Sequence, residues 1–112
     1  MGVYTRTITV PAGTPPTSPT RLDVIVDGTI LDRIGVLFPP GCSCLVGLQV
    51  YCGAKIVMPE EEGTWLVGDG ESIWVPVDWE LPERPARLQL RAFNNDTLHD
   101  HTIYVRIVTR RR

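Results

Sequence analysis

The feature that most constrains this chain is a period-two alternation of apolar and polar residues in short segments bounded by Pro, Gly, Asn and Asp. In RLQLRAF, residues 87–93, for example, every second residue is apolar. Successive side chains of a strand point to opposite faces, so this pattern predicts strands with one buried and one solvated face. We find no segment with the 3.6-residue apolar stripe of an amphipathic helix.

The alternating segments predict eight or nine short strands with turn residues between them. The segments are 4–10, 21–26, 29–38, 44–52, 55–58, 64–67, 71–79, 87–93 and 102–108. This spacing predicts an all-β single domain, a two-sheet antiparallel sandwich that is jelly-roll-like. An immunoglobulin-like sandwich is the second choice, because the Cys…Trp…Cys pattern of that fold is absent.

Turn and breaker residues predict local features of this sandwich. The dipeptide Asp27-Gly28 predicts a tight hairpin or a sharp corner, and Pro76 inside its segment predicts an edge strand or a bulge. The Pro-rich segment PAGTPPTSP, residues 11–19, lacks a continuous row of N–H donors and predicts a surface loop or an extended arm. We therefore divide the chain into an N-terminal strand and Pro-rich arm, 1–20, and a β-sandwich domain, 21–112.

Charge is small in sum but uneven along the chain. The formal net charge is −2, yet residues 59–83 hold eight acidic and no basic residues, and residues 84–112 hold seven basic and two acidic. The two segments either complement each other, within one subunit or between neighbours, or form two solvated faces. Nucleic acid is not expected as the main ligand despite the terminal Arg110-Arg111-Arg112, because the chain is acidic overall and no basic strand carries an aromatic ladder.

No membrane partner is expected. The sequence has no apolar run near the ~20 residues of a membrane span. Its N-terminus, MGVYTRTITV, shows no basic segment followed by an apolar core, so no secretory signal is predicted. We expect synthesis in a cytoplasm, where the cysteines stay reduced.

All three cysteines, Cys42, Cys44 and Cys52, lie in FPPGCSCLVGLQVYCG, residues 38–53. A structural zinc site usually needs four Cys or His ligands in spacings such as C-x2-C, which the C-x-C pair does not match, so no metal or other cofactor is predicted. Cys44 and Cys52 lie in an apolar strand pattern and are predicted to be buried, inert thiols, whereas Cys42 in a turn is predicted to be exposed. A Cys42–Cys52 or Cys44–Cys52 disulfide is the alternative.

The loop NNDTLHDH, residues 94–101, carries the strongest remaining set of reactive side chains, namely Asp96, His99, Asp100 and His101. The two histidines share one side of an extended chain and would suit a mixed Cys/His metal site or a hydrolase. Asn and Asp are also the residues that turns need. We interpret the segment as a structural loop and predict that the protein is not an enzyme.

Trp65, Trp74 and Trp79 fall within fifteen residues. A planar aromatic platform is one way in which a β-sandwich binds sugar, so these residues are the candidate platform of an alternative, lectin-like function. Packing in the core is the competing interpretation for at least two of them.

The order of motifs from Gly28 onward supports a resemblance. The chain reads GTILDRIGVLFPPGC (28–42), LVGLQVYCG (45–53), GTWLVGDGESIWVPV (63–77), LQLRAFNND (88–96) and HTIYVRI (101–107). This order resembles small β-sandwich structural proteins of tailed bacteriophages, the group that includes capsid decoration, or cement, proteins. The resemblance covers most of the chain, but its motifs mark turns and strands rather than catalytic chemistry.

The resemblance implies a non-enzymatic protein, made in the host cytoplasm, that binds the exterior of an assembled capsid and stabilises it. The implied partner is the major capsid protein, and the implied oligomer is a trimer. We expect the N-terminal strand and arm to contact a neighbour, because a polar strand with a few apolar residues needs burial somewhere and Pro pre-orders an extended segment. The candidate interface residues are Tyr4, Ile8, Val10, Pro11, Pro15, Pro16 and Pro19.

Overall fold

The computed structural model describes residues 2–61 and 63–111, and their regular structure consists of nine β-strands. The strands are β1 (Gly2–Val10), β2 (Thr20–Val26), β3 (Ile30–Phe38), β4 (Val46–Cys52), β5 (Lys55–Met58), β6 (Leu66–Val67), β7 (Glu71–Glu80), β8 (Ala86–Asn94) and β9 (His101–Arg110). These residues contain no helix, and hence none long and apolar enough to cross a membrane.

The strands form two antiparallel sheets that pack face to face. The first sheet has the order β1-β9-β3-β7, and the second has the order β2-β8-β4-β5, with β6 also paired to β4. The chain changes sheet at each connection from β1 to β4 and again from β6 to β9, which is the strand order of a jelly roll in which β5 and β6 share one place. The predicted all-β antiparallel sandwich is confirmed.

This topology decides between the alternatives predicted at Asp27-Gly28 and at Pro76. Because β2 and β3 lie in different sheets, Asp27-Gly28 forms a corner rather than a hairpin. Strand β7 is an edge strand, as Pro76 predicted, and its register with β3 is irregular directly after Pro76, where Val77 and Asp78 lie opposite the single residue Asp32.

The core lies between the sheets and consists of the inward rows of the central strands. Fully buried residues on β4, β8 and β9 include Val46, Leu48, Val50, Leu88, Leu90, Ala92, Ile103, Val105 and Ile107. These are the residues that the alternation assigned to the inner face. Burying a Val, Leu or Ile side chain contributes roughly 1.5–3 kcal/mol to stability, so these rows are the main source of folding free energy.

The N-terminal strand is part of the sandwich, which corrects the boundary placed at residue 20. Strand β1 pairs with β9 along its whole length, from Gly2 opposite Thr109 to Val10 opposite His101. Ile8 and Val10 are 3% and 0% exposed and belong to the core cluster of their own chain. A second subunit is therefore not needed to bury them.

The Pro-rich segment folds back onto the β8–β9 loop. The backbone N–H of Gly13 donates to the carbonyl oxygen of Asp96 over 2.9 Å, and Asn94 N–H donates to Thr14 O over 2.9 Å. Ala12 N–H donates to the Asp100 carboxylate over 2.8 Å. The first half of the segment is thus anchored to the sandwich, while Pro15 and Pro16 remain exposed.

Candidate interaction surface

The outer face of the four-stranded sheet is the candidate interaction surface, because exposed aromatic, apolar and basic side chains lie together on it. Strand register aligns Thr5 with Arg106, Arg106 with Gly35, and Gly35 with Trp74, which forms one row across the sheet. The next row runs through Thr7, Tyr104, Leu37 and Ser72. We call the outward residues of β1, β9, β3 and β7 the A face.

The A face concentrates exposed apolar area. Eight large hydrophobic side chains are exposed in the described part of the chain, and four of them, Val3, Leu37, Trp74 and Tyr104, lie on this face. Single exposed apolar residues are ordinary, but a group on one face marks an interaction surface.

Trp74 lies flat on the sheet because Gly35, on the adjacent strand, has no side chain. A Cβ atom placed on Gly35 would lie 2.8 Å from the Trp74 ring. The guanidinium of Arg33 lies 5.5 Å from the centroid of the same ring, within cation–π range. Gly35 and Trp74, together with Leu37 and Tyr104, line an open cleft of about 210 Å³.

Arg106 gives the A face a positive centre. Its side chain is exposed and makes no ion pair with any described residue. Trp, Tyr and Arg are the residues most enriched at the energetic centres of protein interfaces. The arrangement suits a protein partner that presents apolar side chains beside an acidic group.

The structure does not gather the three tryptophans into one platform. Trp74 is 49% exposed on the A face. Trp65 packs edge-on against Phe93, with ring centroids 4.8 Å apart. Trp79 lines a groove between β7 and β5 and is only partly buried against the core.

The predicted N-terminal interface residues have separate environments. Tyr4 is half-buried and its hydroxyl accepts a hydrogen bond from Asp27 N–H over 2.9 Å. The expectation that a neighbour buries Ile8 and Val10 is wrong, since the chain buries them itself. The exposed prolines, Pro11, Pro15 and Pro16, remain accessible, and Pro19 is half-buried.

The exposure predicted for two cysteines is reversed. Cys42 is fully buried in the core, whereas Cys44 is exposed. The reason is local geometry: Ser43 and Cys44 both have positive φ, so the chain turns and β4 begins only at Val46. All three cysteines are free thiols, so neither of the alternative disulfides is present.

Part of the predicted Asp/His group does come together. His101 Nε2 lies 2.8 Å from the Asp96 carboxylate, and His101 Nδ1 lies 3.8 Å from Cys42 Sγ. Asp96 also accepts hydrogen bonds from the N–H groups of Leu98 and His99. The hydrogen bond with His101 and these two backbone bonds lower the pKa of the Asp96 carboxyl. Asp100 does not join this group, because its carboxylate accepts from Ala12 N–H.

This Cys–His–Asp arrangement closes the loop end of the sandwich. Burial raises the pKa of the Cys42 thiol, assisted by Asp69 and Cys44, so the thiol beside His101 stays protonated. A buried neutral thiol is a poor nucleophile. Within the described residues, no three or more His, Cys, Asp or Glu side chains are arranged to hold a metal ion.

Most of the A face was missed by sequence reasoning, although a signal was present. Leu37 and Tyr104 stand at positions that the alternation assigns to the solvated face of their strands, where polar residues are expected. The position of Gly35 beside Trp74 depends on the pairing of β3 with β7, which a single sequence does not reveal.

The strand order and packing define the chain as a jelly-roll β-sandwich, and similar solved structures share that fold. A chain of the cyanophage Pam1 capsid asymmetric unit is 15% identical, with a TM-score of 0.56 over 95% of this chain and 81% of that chain. The pre-peptidase C-terminal domain of a Bacillus anthracis collagenase is 11% identical, with a TM-score of 0.53 over 94% and 88%. A chain of Sulfolobus turreted icosahedral virus is 16% identical, with a TM-score of 0.50 over 95% and 27%.

At these identities the similarity is one of fold. No protein-family model matches the sequence, and no curated protein is significantly similar to it.

Proposed function

We propose that this protein is a non-enzymatic structural protein of a virus particle, specifically a decoration protein that binds the capsid exterior of a tailed bacteriophage. The observation that carries the proposal is the A face, an exposed Trp/Tyr/Arg surface on a jelly-roll sandwich. The fold is shared with chains of two viral particles but also with a collagenase domain, so the exposed face, not the fold, supports a binding role.

The proposed partner is the major capsid protein. Trp74, Tyr104 and Leu37 supply apolar contacts, and Arg106 supplies a charge for an acidic group on the shell. All of them project from paired strands, so the surface is pre-ordered and little conformational entropy is lost on binding. The proposed oligomer is a trimer, in which several A faces would engage one shell together.

Non-enzymatic action is supported by the chemistry of the most reactive side chains. Cys42 is fully buried where it contacts His101, and the thiol that His101 would activate has a raised pKa. A cysteine nucleophile needs access and a lowered pKa instead.

Carbohydrate binding at Trp74 is the second candidate, because a half-exposed indole is available. The Arg33 guanidinium lies over the ring, 5.5 Å from its centroid, where it would compete with a sugar for stacking on the indole. Quenching of tryptophan fluorescence by a panel of sugars, lost in Trp74→Phe, would favour this candidate.

Mass spectrometry of purified particles tests the proposal. The particles come from a virus whose genome encodes this chain next to major capsid, portal and terminase genes. We expect the chain at a fixed ratio to the major capsid protein, because decoration sites repeat with the shell lattice. Absence from the particles, or a variable trace amount removed by washing, would contradict a structural role.

A further inference from the structure

We propose that copies of this protein associate head to tail, the β7/β5/β6 side of one copy receiving the β1/β2 side of the next. The inference deepens the proposed function, on which it rests, by naming the two surfaces that would build the trimer. We call the first surface the seam and the second the opposite side.

The seam is an opening in the sandwich. Strand β7 has ten residues, but the facing strands β5 and β6 have only four and two. The inward residues of β7 therefore remain partly exposed at the margin of the core, unlike those of β3 and β9. The result is a groove of about 720 Å³ lined by Ile56, Leu66, Val75, Val77 and Trp79.

Acidic residues form the lip of the seam. Glu60 and Glu61 line the groove, whereas Glu71 lies outside the groove, at the start of the same edge strand β7. None of these three carboxylates forms an ion pair with any described residue, and Lys55 on β5 is the basic side chain on the strands of the seam. Asp78, on the same strand as Glu71, forms an ion pair with Arg110 of the basic segment.

The opposite side carries the complementary features. Arg6 on β1 and Arg21 on β2 are exposed and have no acidic partner among the described residues. Tyr4 and Leu22 are only partly buried at this margin of the core, and Asp23 on β2 is the acidic residue nearby along the strand. Each side therefore has partly buried apolar residues, with acidic residues beside them on the seam and basic residues beside them on the opposite side.

Strand direction also permits the contact. The first sheet has four strands, each antiparallel to its neighbour, so its edge strands β1 and β7 run in opposite directions. A second copy placed beside the first in the same orientation brings its β1 antiparallel to β7. Such a contact joins two different surfaces of neighbouring copies. If each copy is rotated by a constant angle relative to the previous one, the copies form a closed ring.

Charge reversal with rescue tests the inference. The seam variant is Glu60→Lys/Glu61→Lys, the opposite-side variant is Arg6→Glu/Arg21→Glu, and the third variant combines all four changes. Oligomeric mass is measured by light scattering across micromolar concentrations. Circular dichroism and thermal unfolding check that each variant is folded.

We expect the wild type to associate and each two-residue variant to associate at least about tenfold more weakly, because reversal places like charges together. The four-residue variant should regain association, since its reversed charges are again complementary. Glu83→Lys, an exposed charge on the β7–β8 connection, is the control for charge reversal and should leave the mass unchanged.

A monomeric wild type, an effect of only one variant, or failure of the combined variant to recover would overturn the head-to-tail contact. Binding of the folded, monomeric variants to capsid shells is measured in parallel. If the wild type binds shells but charge reversal leaves association unaltered, this inference alone is rejected. If the wild type associates as expected but does not bind shells, the proposed function alone is rejected.

Discussion

Two glycines of the sandwich each lie beneath an aromatic ring, and the two rings differ in their freedom to move. Gly35 lies under Trp74, whose ring is half exposed on the A face. Gly47 lies under Phe93, which is buried and packs against Trp65. An added methyl group would therefore have different consequences at the two positions.

Gly47→Ala should lower the free energy of unfolding by about 1–3 kcal/mol, the usual cost of overpacking. Its Cβ would overlap the Phe93 ring, and Trp65 restricts the movement that would relieve this overlap. Gly35→Ala, the matched control, should cost less because Trp74 can tilt into solvent. Urea unfolding followed by circular dichroism measures both, and equal losses would contradict the argument.

Thiol reactivity should distinguish the cysteines. Cys44 is exposed, whereas Cys42 and Cys52 are buried and burial raises the pKa of each thiol. A thiol-specific reagent should modify one cysteine in the native protein and all three after unfolding, with Cys44→Ser removing the fast reaction. Rapid native modification of Cys42 would show that the turn at Ser43 is not as described.

Acid should weaken the contribution of Asp96. Hydrogen bonds from His101, Leu98 and His99 lower its pKa in the folded state, so the carboxylate stabilises the fold above the unfolded pKa of about 3.9. This contribution is lost as the pH falls through the lower folded value. The stability difference between wild type and Asp96→Asn should hold at neutral pH and shrink below about pH 4. A difference that does not change with pH would contradict this role.

At the scale of elements, β1 shows how pairing decides the role of a strand. Its Thr-rich sequence suggested a strand that needs a neighbouring subunit to bury its apolar residues, but pairing with β9 places Ile8 and Val10 over the core. The alternation alone does not specify which sheet a strand joins, so this error arose from topology rather than from the strand assignment.

Ile8→Ala should destabilise the monomer by about 2–5 kcal/mol, because it removes buried methyl groups and leaves a cavity. Thr7→Ala, on the solvated face of the same strand, should change stability by less than about 0.5 kcal/mol. Both are measured by urea unfolding at two protein concentrations. A cost for Ile8→Ala that grows with concentration would instead indicate burial by a second copy.

The correct strand assignments and the errors both have physical reasons. Alternation reports burial directly, so the inner residues of β4, β8 and β9 were identified from sequence. The positive φ angles of Ser43 and Cys44 shift the strand start and reverse the predicted exposure of the cysteines. The A face needs the order of non-adjacent strands, which local patterns do not contain.

At the scale of the whole molecule, one sandwich presents two kinds of surface. The A face is aromatic and positive at its centre, and it is the surface proposed to bind the capsid. The seam and the opposite side lie at the lateral margins of the sandwich and suit further copies of the chain. Because the surfaces are distinct, a ring of copies would leave every A face free.

Co-sedimentation with assembled capsid shells is the most direct test of the central claim. Shells lacking this protein are mixed with wild type, Trp74→Ala/Arg106→Ala, or Leu98→Ala, an exposed apolar control in the β8–β9 loop. We predict saturable binding of wild type and the control at a fixed ratio to the major capsid protein, and binding at least about tenfold weaker for the double variant. Equal binding by all three proteins, or binding by none, would contradict the account.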